Sequence, residues 1–259
     1  MENTEKPIIE VKDIWKTFLT GGTTFSALRG VSLSVHQKEL IAIMGASGSG
    51  KSTFMNILGC LDRPTKGNYF FNGLDTTVKT NTELALLRRD YFGFIFQSYN
   101  LLPRTSAFEN IELPLLYYGY KYGRSQRREM VMNALKQVGL EDKVNNKTNE
   151  LSGGQQQRVA IARAIVNNPK IIFADEPTGN LDTRTSFDIM AIIQGLNEAG
   201  TTVVLVTHEN DISDFAKRKV VFRDGQIITD SPNEDVKNAA EERLKLPELS
   251  EPTEPNTAK

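Results

Sequence analysis

Leu40-Ile-Ala-Ile-Met44-Gly45-Ala46-Ser47-Gly48-Ser49-Gly50-Lys51-Ser52-Thr53 passes from a continuous apolar run into a glycine-rich turn and leaves it through Lys-Ser. Five apolar residues in succession suit a short strand covered on both faces. The turn matches G-x-x-x-x-G-K-[ST] in full. Behind it, Phe54, Ile57, Leu58 and Leu61 recur at i, i+3, i+4 and i+7, the spacing of an amphipathic helix. A strand, a glycine loop and a helix in this order form a phosphate cradle. The glycines let backbone N–H groups face phosphate oxygens, and the helix N-terminus adds partial positive charge. Gly45 to Thr53 are therefore the candidate nucleotide-binding loop, with Lys51 reaching the β- and γ-phosphates and the Ser52 hydroxyl placed for Mg2+.

Further apolar runs at Ile171–Ala174 and Val203–Val206 predict two more buried strands, and residues 184–197 predict a helix with Ile189, Ile192, Ile193 and Leu196 inward. Val31-Ser-Leu-Ser-Val35 alternates strictly, as a half-exposed antiparallel strand does, and residues 8–11 are candidates to pair with it. Val220-Val-Phe222 and Ile227-Ile228 flank Asp224-Gly225, a hairpin signal. Residues 98–150 hold no run of the buried-strand type. Instead, residues 125–138 carry apolar positions at helical spacing before a Gly139 cap, so the block predicts a helical insert. The expected fold is α/β: a mainly parallel core, an antiparallel β subdomain at the front and a helical insert.

Chemistry-bearing residues fall at the ends of the predicted core strands, the edge where open α/β sheets place ligands. Asp175 and Glu176 follow Ile171–Ala174; Asp175 suits a Mg2+ shell, and Glu176 is the candidate base that polarises an attacking water. Gln97 ends Phe92-Gly-Phe-Ile-Phe96, placed to touch Mg2+ or that water. His208 follows Val203-Val-Leu-Val-Thr207, placed to donate to a γ-phosphate. His36 lies in a polar turn with no comparable setting.

A second glycine turn, Leu151-Ser152-Gly153-Gly154-Gln155-Gln156-Gln157-Arg158, stands between the phosphate loop and Asp175-Glu176. With it, residues 8–230 resemble the ABC (ATP-binding cassette) ATPases, whose core is a RecA-like phosphate-loop NTPase fold. The resemblance implies ATP and Mg2+ as ligands and a head-to-tail dimer with a second copy. In that dimer Leu151, Ser152, Gly153, Gly154 and Gln155 of one subunit, with Asp182 from Gly179-Asn-Leu-Asp182, complete the other subunit's site. It places Phe18 where the family stacks an aromatic on adenine, with Trp15 as competitor. Ile43–Gly50, Leu58-Gly-Cys-Leu-Asp62, Phe94–Gln97, Asn100-Leu-Leu-Pro103 and Glu109–Pro114 resemble the macrolide-export, lipoprotein-release and division group (MacB, LolD, FtsE). That implies an integral membrane permease docking near Gln97–Pro103 and the insert, with a non-transporting division ATPase as the alternative.

The bulk numbers fit this reading. At 259 residues and 39% apolar content, the chain has enough material for one large α/β domain. A net charge of −1 argues against a nucleic-acid footprint, and one cysteine, Cys60, fits a reducing compartment. The polar N-terminus and the lack of any run of about 18 apolar residues give an expectation of a cytoplasmic protein held at the membrane through its permease. Residues 1–231 are expected to form the ATPase domain. Residues 232–259, with seven acidic and four basic residues, are expected to be a solvated tail with at most one short helix before Pro247 and disorder after it.

Overall fold

The computed structural model describes residues 6–247. In chain order the elements are β1 (Ile9–Thr20), β2 (Thr23–Val35), β3 (Leu40–Met44), α1 (Lys51–Leu58), β4 (Lys66–Phe71), β5 (Leu74–Asp75), α2 (Asn81–Tyr91), β6 (Phe92–Phe96), α3 (Ala107–Leu116), α4 (Arg124–Gln137), α5 (Gly153–Ile165), β7 (Ile171–Asp175), α6 (Thr183–Glu198), β8 (Thr202–Val206), α7 (Asn210–Ser213), β9 (Arg218–Arg223), β10 (Gln226–Pro232) and α8 (Ala239–Lys245).

The central sheet has the order β10-β9-β3-β8-β7-β6, and all its pairings are parallel except that of β9 with β10. Its strands read as unbroken apolar runs because both faces are covered. Leu40, Ala42, Ile172, Ala174, Val203 and Leu205 face a core shared with α3, α4, α5 and α6. Ile41, Ile43, Ile171, Phe173, Val204 and Val206 face a second core with α1 and the front subdomain. The β9–β10 hairpin turns at Asp224 (φ 50°) and Gly225 (φ 79°), the left-handed pair a two-residue hairpin needs.

The front sheet, β2-β1-β4-β5, is antiparallel throughout. Ile9 pairs with Val35 and Val11 with Leu33, as the alternation at residues 31–35 suggested, but β1 and β2 continue far past that patch. Strands β4 and β5 and helix α2 carry mixed sequences without clean periodicity and were not anticipated. α2 begins at a capping box, Thr80 with Glu83, a signal readable in sequence.

Three expectations need correction. Leu61, assigned to the first helix, lies beyond its end at Gly59 and is 48% exposed. The helix that follows the second glycine turn, expected over residues 155–167, starts two residues earlier, at Gly153, because Ser152 already caps it, and ends at Ile165. The segment after residue 232, expected to be solvated, packs on α6 as far as it is described. Ala239 is fully buried and Leu246 lies against the core. Gln194 on α6 bonds both the Lys237 carbonyl and the Ala239 N–H. Arg243 pairs with Asp188, and Arg184 donates to the Leu246 and Pro247 carbonyls. The expected disorder beyond Pro247 lies outside the described residues. Among the described residues no helix is long and apolar enough to cross a membrane.

Candidate active site

The loop at residues 45–50 leaves β3 and opens α1. Gly50, the N-cap, has φ 104°, and a Cβ there would fall 2.6 Å from the Ala27 carbonyl oxygen; no other residue fits this corner. No side chain caps α1, so its first-turn N–H groups are available to an anion. Lys51 folds back over the loop, its Nζ donating to the Gly45 carbonyl at 2.7 Å and the Ala46 carbonyl at 2.9 Å. Burial pushes its ammonium pKa down, against the opposing pull of Glu176 and Asp175. Phosphate oxygens are better partners for a desolvated cation than loop carbonyls.

Register gathers the other groups at the same edge. Phe96 pairs with Asp175, and Asp175 with Val206, so Gln97, Asp175-Glu176 and Thr207-His208 leave adjacent strands side by side. Asp175 Oδ1 is buried with no hydrogen-bond partner. Burial raises the Asp175 pKa, Glu176 adds to the shift and Lys51 opposes it. Glu176 is held at φ 45° with its N–H donating to the Val206 carbonyl at 2.9 Å. Its Oε1 lies 2.9 Å from His208 Nδ1. The Gln97 amide packs against Gly179, where a Cβ would meet Nε2 at 2.7 Å, and Asn180 donates to the Gln97 carbonyl.

A cavity of about 450 Å3 connects the phosphate loop, Glu176 and His208 to the front sheet; Gln97 and Asp175 do not line it. Ser47, Gly48, Gly50, Lys51, Ser52, Thr53, Glu176 and His208 line one end, and Phe18, Phe25 and Ala27 the other. Phe18 is thereby separated from Trp15, whose indole N–H is bound to Asp13 away from the cavity. Lys16 lies 5.0 Å above the Phe18 ring. Phe25, the cross-strand partner of Phe18, was missed. The signal was present: Gly21-Gly22 marks a two-residue hairpin that sets residues 18 and 25 opposite each other.

The second glycine turn is elsewhere. None of Leu151–Gln155 lines the cavity, nor does Asp182. Ser152 is exposed and forms a capping box with Gln155, its Oγ accepting the Gln155 N–H and the Gln155 carbonyl oxygen of the side chain accepting the Ser152 N–H. The Ser152 hydroxyl proton stays free to donate. Both glycines are set by close neighbours: a Cβ on Gly153 would lie 3.0 Å from the Tyr99 hydroxyl, and one on Gly154 only 2.5 Å from Thr185 Cγ2. The Asp182 carboxylate caps α6 through the Thr185 N–H and hydroxyl, bonds that hold its pKa down.

Comparison with known proteins agrees with this geometry. The ABC transporter family model matches residues 28–179. The ABC transporter ATP-binding protein YknY of Bacillus subtilis, itself uncharacterised, is 52% identical over 221 residues, 85% of this chain and 95% of that protein. The macrolide export ATP-binding/permease protein MacB of Hyphomonas neptunium is 49% identical over 236 residues, 91% of this chain but 36% of its own length. The chain thus spans about a third of the fused export proteins it resembles. Among solved structures, a dimeric post-hydrolysis state of the ATP-binding cassette MJ0796 bound to ADP and Pi superposes with a TM-score of 0.81. It is 44% identical and covers 87% of this chain and 99% of that one. The chain belongs to the ABC transporter family, as one of its ATP-hydrolysing cassettes.

Proposed function

We propose that two copies of this cassette pair head to tail around two ATP molecules and drive a membrane permease of the MacB kind. One observation carries the pairing. The cavity beside the phosphate loop contains Lys51, Ser52, Glu176 and His208, while Ser152 and its helix N-terminus stand exposed on another face. A second chain applied there would bring an anion-binding helix start against the γ-phosphate. The dimeric state of the MJ0796 cassette supports the arrangement.

In this reading Phe18 stacks on the base, the loop amides grip the phosphates, and Lys51 exchanges its carbonyl partners for β- and γ-oxygens. Glu176 accepts the proton of the attacking water, and His208 steadies the carboxylate and contacts the γ-phosphate. Asp175 Oδ1, buried and unpartnered, together with the Ser52 hydroxyl and the Gln97 amide oxygen, makes an all-oxygen donor set suited to Mg2+. Bound there, Mg2+ would supply charge neutralisation on the phosphates.

The permease has a candidate seat. A mainly apolar cavity of about 630 Å3 lies between α2, β6 and α3, lined among others by Leu86, Phe94, Phe96, Asn100, Leu113 and Tyr117. It begins beside Gln97, and Arg163 of α5 donates to the Tyr99 and Asn100 carbonyls along its edge. An occupant there would act on Gln97 and on the helix that starts at Ser152.

Subunit mixing tests the pairing. Lys51→Ala and Ser152→Arg chains each lack both sites as homodimers. Mixed on a Glu176→Gln background, they should trap one ATP per dimer. Failure of mixing to restore any trapped ATP would overturn the cross-subunit site.

A further inference from the structure

Gln157 is fully buried on α5, two residues past Gln155, in a helix whose Val159, Ala160 and Ile161 are buried as well. Its Nε2 donates to the Pro177 carbonyl at 2.6 Å, while its Oε1 is buried without a partner. The amide orientation follows from the chemistry, since a carbonyl accepts only from the N–H end. Buried amides are normally satisfied at both ends. Here one end is left unpaired and the other holds a single backbone carbonyl.

That carbonyl directly follows Glu176. Two of the ties on the catalytic loop hold its backbone to neighbouring elements: the Glu176 N–H to Val206 on β8, and the Pro177 carbonyl to Gln157 on α5. A second contact reinforces the second tie. Gly154, in the first turn of α5, packs on Thr185, which in turn bonds the Asp182 cap. The start of α5 therefore holds Pro177 at one end of the segment from Pro177 to Asp182 directly and packs at the other end on Thr185, which bonds Asp182. In the proposed dimer the Ser152–Gln155 turn reads the ATP held by the partner, whereas Glu176 serves the ATP held by its own chain. Gln157 stands between the two.

Resting on that reading, we infer that Gln157 is a positioning residue that couples the two ATP sites: engagement of the Ser152–Gln155 turn with the partner's nucleotide sets Glu176 in its own site. The bond from Nε2 to the Pro177 carbonyl carries the coupling. The unpaired Oε1 leaves the side chain without a competing anchor, so a shift of α5 passes to the loop.

Two variants test it. Gln157→Met keeps volume and removes the donor. Gln157→Glu keeps size and loses the donor when ionised, but regains an O–H for the Pro177 carbonyl when protonated. Each is assayed for ATP hydrolysis against ATP concentration and, on a Glu176→Gln background, for the ATP-trapped dimer by size exclusion. We expect kcat to fall at least tenfold in Gln157→Met, with KM within threefold, the Hill coefficient reduced to 1 and the trapped dimer still formed. Gln157→Glu should recover activity, relative to wild type, as pH falls from 8 to 6, which Gln157→Met should not. If Gln157→Met does not fold by thermal melting, the pH profile of Gln157→Glu carries the test. Wild-type kcat and Hill coefficient in folded Gln157→Met, or in Gln157→Glu at pH 8, or a flat pH ratio in Gln157→Glu, would overturn the coupling role. Absence of a trapped dimer in Glu176→Gln alone would instead overturn the dimer reading.

Discussion

Glu176 Oε1 and His208 Nδ1 meet at 2.9 Å although they leave different strands, β7 and β8. The Asp175–Val206 register and the Glu176 N–H bond to Val206 bring the strand ends together, and the left-handed φ of Glu176 accommodates the turn. The carboxylate is mostly buried and the imidazole more than half exposed, so the histidine is the movable partner. Glu176→Gln keeps the shape and the contact but removes the proposed base. We expect kcat to fall about 10²- to 10⁴-fold, with ATP affinity retained and an ATP-bound dimer accumulating. Near-normal turnover in that variant would remove Glu176 from the base role.

Asp175 gives a pH-dependent prediction. Its folded pKa is raised by burial and by Glu176, so ionised Asp175 costs the nucleotide-free fold stability at neutral pH. A group with a raised folded pKa favours the fold below its unfolded value, and that contribution is lost as pH rises through the folded value. Asp175→Asn should therefore raise the melting temperature of the nucleotide-free protein at pH 7. The gain should shrink as pH falls toward the ordinary carboxylate range. The same variant should lose Mg2+-dependent ATP hydrolysis. Calorimetric scans from pH 8 down into the ordinary carboxylate range, about pH 4, check the first half, and a gain independent of pH across that range would contradict it.

The core and the phosphate loop were legible because each depends on local pattern. Leu40–Met44, Ile171–Ala174 and Val203–Val206 are covered on both faces, which leaves unbroken apolar runs. The docking of residues 233–247 was not legible. It rests on one small buried residue, Ala239, and on hydrogen bonds from Gln194, Arg184 and Arg243, and nothing in an acidic, proline-containing stretch marks such partners. Gln157 was hidden for a related reason. The two residues before it are also glutamines, and only burial separates it from Gln155 and Gln156.

Gly154 shows why the second glycine turn admits no side chain. A methyl group there would meet Thr185 Cγ2 at 2.5 Å, inside any real contact distance. Because Thr185 also bonds the Asp182 carboxylate through its hydroxyl, its side chain cannot swing aside without losing that second bond to the α6 cap. Gly154→Ala should lower stability by about 1–3 kcal/mol and reduce ATP hydrolysis about tenfold. Thr185→Ser removes Cγ2 and keeps the hydroxyl, so adding it should restore much of both. Lack of rescue in melting and ATPase assays would mean the clash lies elsewhere.

Asp188 links three helices, accepting from Arg158 of α5 at 3.4 Å and from Arg243 of α8 at 2.5 Å. All three side chains are partly exposed, so solvent screens the pairs and Asp188→Asn should cost only about 0.5–1 kcal/mol. Removing residues 238–259 acts differently. It uncovers the surface of α6 now covered by Ala239 and Leu246 and takes from Gln194 Oε1 its Ala239 N–H partner. That loss includes the Arg243–Asp188 pair but should exceed it, at about 2–3 kcal/mol, with most of it insensitive to salt. Urea unfolding of both variants at low and high salt distinguishes the two. Equal, salt-dependent losses would reduce the C-terminal segment to a surface ion pair, whereas a larger loss that mostly survives high salt makes it part of the packed cassette.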